Sequence, residues 1–270
     1  MPSLSDIEST VSELDESAWK KLYLQHARRE RKDLLPFPSD DVQVITNNKK
    51  GEDTGRGALS ILDCVLSCVR EVTDLNRDMR VLDYGCGWGR MTRVLPYYFK
   101  TNLIVGVDVD ERLISSANAL LPFIRHEQIT SMQALPFDDS AFDIVYANSV
   151  FSHLSERSSL FTLGELSRVL APGGVLVVSV LEKGEMDKYY ANADMLAWIQ
   201  SILGEYDTAI ATLAEKGFVW GDTRRWADYG IAIMNDNWLK SSFDQNGIEL
   251  RATKRREVPG SHHYKLGVKI

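Results

Sequence analysis

Val81-Leu82-Asp83-Tyr84-Gly85-Cys86-Gly87-Trp88-Gly89-Arg90 is the stretch that decides how this chain folds. A short strand, Arg80–Tyr84, runs into a glycine-rich turn, and Arg90–Phe99 is expected to continue as a helix. Glycines permit backbone angles that a side chain would forbid, and they let a ligand approach the main chain. The following helix would present free N–H groups and a positive dipole end, suited to a carboxylate or phosphate. Taken alone, a Gly-x-Gly-x-Gly loop is only moderately specific. Dinucleotide enzymes use the related Gly-x-Gly-x-x-Gly, whose third spacing is absent here.

Outward from the loop, short apolar strands alternate with single helices. Strands are expected at Leu103–Val107, His126–Met132, Phe142–Ala147 and Gly174–Leu181, and helices at Glu111–Leu120 and Ser158–Leu170. Such alternation implies a mostly parallel α/β sheet covered on both faces. Upstream, Gly57–Val72 is a strongly apolar helix, Leu34–Asn48 a connector, and Ile7–Tyr23 one or two N-terminal helices. Beyond Lys183 the alternation stops. Met186–Lys216 reads mainly as helix, longer than a normal crossover. Asn235–Gln245 returns as a helix, and Ile248–Lys254 and Tyr264–Ile270 form an antiparallel pair across the turn-like Val258–His262.

The bulk numbers narrow the function classes. With 270 residues, 44% hydrophobic and 26% charged, the chain has the composition of a soluble globular protein. No apolar run approaches the roughly 20 residues of a membrane span, and the N-terminus lacks a secretory signal pattern. The net charge of −7 argues against a nucleic-acid partner. The basic runs Arg28–Lys32 and Lys254–Arg256 read as solvated surface. Three cysteines, Cys64, Cys68 and Cys86, cannot all pair, which suits a reducing cytoplasm. Histidines and cysteines show no metal-ligand spacing, so no metal is expected.

Asp108 closes the second strand in Ile104-Val105-Gly106-Val107-Asp108. A carboxylate there can accept both hydroxyls of a ribose, and would repel a 2′-phosphate. It also resembles the start of a capping box with Glu111. Three further stretches follow: Leu135-Pro136-Phe137 leading to Phe142-Asp143, then Val150-Phe151-Ser152-His153-Leu154, then Arg168-Val169-Leu170-Ala171-Pro172-Gly173-Gly174. Each alone reads as ordinary turn, helix start or helix stop. In this order, together with Asp83-x-Gly-Cys-Gly-x-Gly and Gly106-Val-Asp108, they resemble the class I S-adenosylmethionine-dependent methyltransferases. The resemblance is closest to the group with a leucine-proline-phenylalanine third motif, and it covers about residues 75–182.

The resemblance implies a Rossmann-like, seven-stranded, mostly parallel sheet with an antiparallel last strand, and S-adenosylmethionine as cofactor. It divides the chain into an N-terminal helical lid and connector (1–56), a cofactor-binding core (57–182), a helical cap insertion on the substrate side (183–234) and a C-terminal helix with the last two strands (235–270). It implies that the Gly85, Cys86 and Gly87 main chain holds the methionine portion, with Asp83 near its ammonium group. Asp108 takes the ribose hydroxyls, Val109 lies beside the adenine, and Ser131, Met132 and Gln133 border its edge. Many relatives carry an acid where this chain has Ser131; a hydroxyl accepts the same hydrogen bond more weakly. Asn148 and Ser149 are expected as cofactor or substrate contacts.

The activity implied is positioned methyl displacement onto a small-molecule acceptor, at oxygen or nitrogen. His153 is the candidate general base, because the loop after the fourth strand usually faces the methyl group in this fold and histidine titrates in the useful range. A packed, hydrogen-bonded histidine at a helix start is the competing reading. Trp19 and Tyr23 are candidates to close over the cofactor, and Trp220, Trp226, Tyr229 and Trp238 to line an acceptor pocket, with plain packing the alternative for each. His262 and His263 either reach the site or sit at a surface turn. Two other functions remain open: a nicotinamide-dependent oxidoreductase, and a non-catalytic module that binds S-adenosylmethionine.

Overall fold

The computed structural model describes residues 3–224, 229–255 and 262–270. The chain divides into two compact units, residues 1–130 with 142–146, and residues 131–141 with 147–270. In chain order the first holds α1 (Leu4–Glu13), α2 (Glu16–Ala27), α3 (Asp40–Asn47), α4 (Gly51–Val69), β1 (Val81–Tyr84), β2 (Ile104–Asp108), α5 (Glu111–Leu120), β3 (Arg125–Gln128) and all but the last residue of β4 (Phe142–Ala147). The second holds α6 (Glu156–Val169), β5 (Leu170–Val180), α7 (Lys183–Ala191), α8 (Ala193–Leu203), α9 (Tyr206–Lys216), β6 (Phe218–Asp222), β7 (Gly230–Met234), α10 (Asp236–Gln245), β8 (Ile248–Arg255) and β9 (His263–Lys269).

Seven strands form one sheet in the order β3-β2-β1-β4-β5-β9-β8. β1 pairs in parallel with β2 and β4, and β9 is antiparallel to β5 and β8. The expected fold class is therefore observed. Strand order reverses between β1 and β4, and in open α/β sheets the crevice at the strand ends of such a reversal is where ligands bind.

In the first unit, α4 buries Ala58, Leu59, Ile61, Leu62, Val65, Leu66, Cys68 and Val69 along one face, and α2, which buries Trp19, Leu22 and Tyr23, packs on it around Gly55. Caps fix where the helices begin. Ser3 and Asp6 form a capping box on α1, and Asp15 accepts the Ala18 N–H at 2.8 Å on α2. Asp110, not Asp108, caps α5, so the capping reading of Asp108 is corrected.

The helix expected at Arg90–Phe99 is also absent. Residues 87–94 form turns, and only Leu95–Tyr97 make a short 3₁₀ segment. Two buried side chains explain the difference: Tyr23 donates to the Arg90 carbonyl at 3.0 Å and Trp19 to the Val94 carbonyl at 2.9 Å. Pro96 removes a further N–H from any helical ladder. Trp19 and Tyr23 are thus core residues that tie α2 to the glycine loop's exit. The third strand is shorter than expected, ending at Gln128 before a turn.

In the second unit, three helices precede a two-stranded antiparallel sheet, β6 with β7, that hydropathy patterning did not predict. Leu181, Met186, Ile199, Leu203, Leu213, Val219 and Ile233 form its separate core. An ionic cluster anchors the sheet's antiparallel strands: Lys265, fully buried, pairs with the partly exposed Glu182 and the exposed Asp236. Beside it the two nitrogens of His263 meet Glu182 at 3.1 Å and the buried Glu185 at 3.3 Å. Trp226 and most of the Val258–His262 turn lie outside the described residues.

Candidate active site

The glycine loop is stitched to β2. The N–H groups of Gly85 and Cys86 both donate to the Val107 carbonyl, at 2.8 and 2.9 Å, and Gly87 N–H donates to Asp108 Oδ2 at 2.8 Å. Gly85, Gly87 and Gly89 have φ of +80°, +57° and +76°, a region that side-chain-bearing residues rarely enter. Because these three N–H groups are engaged within the chain, the loop does not present them as a free anion cradle. Asp108 Oδ1 accepts the Asp110 N–H at 3.0 Å, leaving further lone pairs for hydroxyl donors. Burial raises the Asp108 pKa against the help of these N–H groups. Val109 beside it is exposed. Burial also pushes the Cys86 thiol up, so it stays protonated and packs against Gly106.

Asp83, one residue before the end of β1, is fully buried, and neither carboxylate oxygen closes a hydrogen bond. Register on the neighbouring strand places Tyr146 opposite it. The Tyr146 hydroxyl is likewise buried without a well-formed hydrogen bond, and its proximity favours the charged carboxylate. Burial dominates nonetheless and carries the Asp83 pKa up to about 7, with Arg90 opposing the rise and Asp108 adding to it. A buried acceptor pair without donors is uncommon in native proteins and calls for an explanation. Nearby, Arg93 is fully buried; its guanidinium donates to the Trp88 and Gly89 carbonyls and lies over the Trp88 and Phe37 rings. Its Nε and Nη2 have no partner, and burial lowers its pKa to about 9.

In the second unit, Asn148 accepts a 2.7 Å hydrogen bond from the Tyr264 hydroxyl. Ser149, with φ +57°, donates its N–H to Ser179 Oγ at 2.7 Å. His262 Nε2 lies 3.2 Å from both Ser149 Oγ and Ser152 Oγ. His153 Nδ1 faces the Gly230 carbonyl at 2.9 Å, so Nδ1 carries the proton and a neutral ring leaves Nε2 as an acceptor. The ring stacks on Tyr229 with centroids 4.3 Å apart, and burial lowers its pKa despite the Gly230 hydrogen bond. Trp220 donates to the His153 carbonyl at 3.0 Å. Trp238 donates to Glu156 at 2.7 Å and packs on Phe218. Ser131 and Gln133 are exposed; Met132 has φ +59° and its sulfur accepts from Ser158 Oγ.

Residues 82–178 match the family model described as a methyltransferase domain. These residues carry the chain's likeness to S-adenosylmethionine-dependent methyltransferases. Among its curated relatives are a trans-aconitate 2-methyltransferase of Variovorax paradoxus, 31% identical over 52% of this chain and 59% of that protein, and a malonyl-[acyl-carrier protein] O-methyltransferase of Legionella pneumophila, 29% identical over 50% of this chain and 49% of that one. The chain spans about half the length of the curated relatives it matches. Solved structures share the methyltransferase fold. A Pyrococcus horikoshii protein superposes with a TM-score of 0.58 at 17% identity, covering 84% of this chain and 95% of its own. An S-adenosylmethionine-dependent methyltransferase of Mesorhizobium loti gives 0.53 at 15%, covering 75% and 96%. These matches lend no support to a nicotinamide oxidoreductase or a non-catalytic module.

Of the residues the sequence singled out, the methyltransferase fold brings Asp83, Gly85, Cys86, Gly87, Asp108 and Val109 together at the ends of β1 and β2 in the first unit. Ser131, Met132, Gln133, Asn148, Ser149 and His153 belong to the second. Sequence reading passed over Tyr146, Arg93 and Thr46. Tyr146 had a signal: a hydroxyl-bearing ring in the otherwise aliphatic run Ile144-Val145-Tyr146-Ala147. Among the described residues no group of three or more His, Cys, Asp or Glu side chains is placed to hold a metal, and no helix is long and apolar enough to cross a membrane.

Proposed function

We propose that the protein transfers a methyl group from S-adenosylmethionine to an oxygen or nitrogen of a small-molecule acceptor. The carrying observation is the buried, unpartnered Asp83 carboxylate at the point where strand order reverses, with Asp108 on the next strand. Both residues fit the cofactor: two orphaned carboxylate oxygens match a cationic amine, and the spare lone pairs of Asp108 match two ribose hydroxyls. When bound, the cofactor supplies a methyl group already activated on a sulfonium. The chain's own task is then to hold, align and exclude water, which is worth roughly 7–11 kcal/mol in favourable cases.

In this reading Asp83 holds the amine, the close-approaching Gly85–Gly87 backbone lies along the methionine portion, Asp108 holds the ribose, and Val109 lies beside the adenine. Ser131, Met132 and Gln133 border the adenine edge, and Asn148 and Ser149 contact cofactor or acceptor. His153 takes the acceptor's proton at Nε2, a role supported by its pinned Nδ1–H and its lowered pKa, which keep Nε2 free near neutral pH. Residues 1–56 serve as lid and connector, 57–182 as the cofactor core and 183–234 as the acceptor cap, with 235–270 completing the sheet. None of Cys64, Cys68 and Cys86 is in a disulfide, which suits a cytoplasmic setting.

Two measurements test this. Calorimetry with S-adenosylhomocysteine and with NADH is expected to show binding of the first alone; binding of neither S-adenosylmethionine nor its product sinks the assignment. Turnover is then measured on an acceptor panel that includes trans-aconitate and malonyl thioesters. His153→Ala is expected to lower kcat about 10²–10⁴-fold on acceptors that carry a proton. Unchanged turnover at saturating cofactor removes the base role.

A further inference from the structure

β9 begins where β5 ends, with His263 opposite Val180 and Tyr264 opposite Ser179. Side chains alternate along a strand, and here the alternation sorts two sets of groups. His263 and Lys265 reach the acids Glu182, Glu185 and Asp236. His262 and Tyr264 reach the loop after β4 instead. His262 Nε2 stands 3.2 Å from both Ser149 Oγ and Ser152 Oγ, and the Tyr264 hydroxyl donates to Asn148 Oδ1 at 2.7 Å. Asn148, Ser152 and Tyr264 are buried, whereas Ser149 and His262 are partly exposed and leave a ligand access from their side. No member of this cluster is a carboxylate.

The hydrogens in the cluster set its chemical preference. One ring nitrogen serves two hydroxyls. As an acceptor it takes a single hydroxyl hydrogen well, and as a donor it takes none. Among the described residues neither serine hydroxyl has another partner, so at least one O–H is left to donate. Asn148, whose Oδ1 is engaged by Tyr264, adds an amide group with hydrogens that no described residue accepts. Ser149 is fixed in place by its N–H on Ser179 Oγ and by a φ of +57°, a region that side-chain-bearing residues rarely enter. Spare donors with no carboxylate among them suit an anionic oxygen and offer little to an ammonium group. Resting on the reading that Asn148 and Ser149 contact the acceptor, we propose that Asn148, Ser149, Ser152 and His262 form a seat for a carboxylate carried by the acceptor. His262 is its positioning residue, acting through the two hydroxyls that it aims.

The test is calorimetric titration of the whole protein, saturated with S-adenosylhomocysteine, with trans-aconitate, malonate and acetate. Malonamide and ethanolamine serve as the uncharged and cationic controls. At least one carboxylate is expected to bind about tenfold or more tightly than either control. His262→Leu and Ser152→Ala should each weaken that carboxylate about tenfold. His262→Gln keeps a polar group at comparable reach and should stay within about threefold of wild type, a rescue that a merely structural histidine would not show. Thermal melting confirms that each variant is folded, and Ser152→Ala carries the comparison should His262→Leu melt early. No carboxylate binding, equal binding of a control, or full affinity in either folded variant overturns the seat. The same titrations without S-adenosylhomocysteine keep the two readings apart. Failure of that compound to bind wild type sinks the cofactor reading, and the carboxylate titrations still decide the seat.

Discussion

Buried charge is handled in opposite ways in the two units. In the second, Lys265 has Glu182 and Asp236 against its ammonium, and His263 bridges Glu182 and Glu185. In the first, Asp83 and Arg93 are fully buried with oxygens and nitrogens unpartnered, and among the described residues no carboxylate pairs with Arg93. Burying a charge is tolerated when partners replace the lost water, and is costly otherwise. The paired cluster therefore reads as architecture, and the unpaired carboxylate as a site that a ligand completes.

The sharpest way to break this contrast is Lys265→Met. It strands the partly exposed Glu182 carboxylate, while the exposed Asp236 is resolvated, and urea unfolding should show a loss of about 2 kcal/mol. A loss below about 1 kcal/mol would mean that the cluster contributes little. Asp83→Asn should act in the other direction. The native carboxyl titrates near 7 and an unfolded one at its ordinary 3.8, so across that interval the native state holds the extra proton. Stability is thus full below about pH 4 and declines as pH rises through about 7, by roughly 4 kcal/mol in all. The asparagine variant should lose this decline and gain roughly 2 kcal/mol at pH 8, because its amide is still unsatisfied. An unchanged pH profile would show that the Asp83 carboxyl titrates alike in the folded and unfolded chain. The smallest effect belongs to Arg80→Ala. Arg80 grips Asp143 through two nitrogens at 2.7 and 3.1 Å on the partly exposed rim of the first unit, and its loss should cost about 1 kcal/mol or less.

The fold was legible because it is written in local signals. Strand-length apolar runs, the Pro172-Gly173-Gly174 stretch, whose Gly173 has φ +75°, and the antiparallel pair at the C-terminus each specify their own geometry. Asp83 and Asp108 were legible because strand ends position them whatever surrounds them. What stayed hidden depends on distant parts of the chain. The lost helix after Arg90 follows from Tyr23 and Trp19, 67 and 75 residues away along the chain. Tyr146 gains meaning only through its register against Asp83, and Lys265, one residue in a strand, through acids on α10 and beside α7. β6 and β7 are short, and the helical pattern of the residues before them masked their alternation.

Thr46, near the end of α3, accepts the Trp88 indole N–H at 3.2 Å, and its methyl stands 2.9 Å from where a Cβ on Gly87 would be. Together with the hydroxyl of Tyr23 and the indole of Trp19, this makes the amino-terminal fifty residues the roof and the scaffolding of the glycine turn. A shortened chain that starts at α4 would expose Trp88 and return the Arg90 and Val94 carbonyls to water. Affinities measured on such a trimmed protein would describe a differently shaped turn, and should be expected to disagree with those of the whole chain.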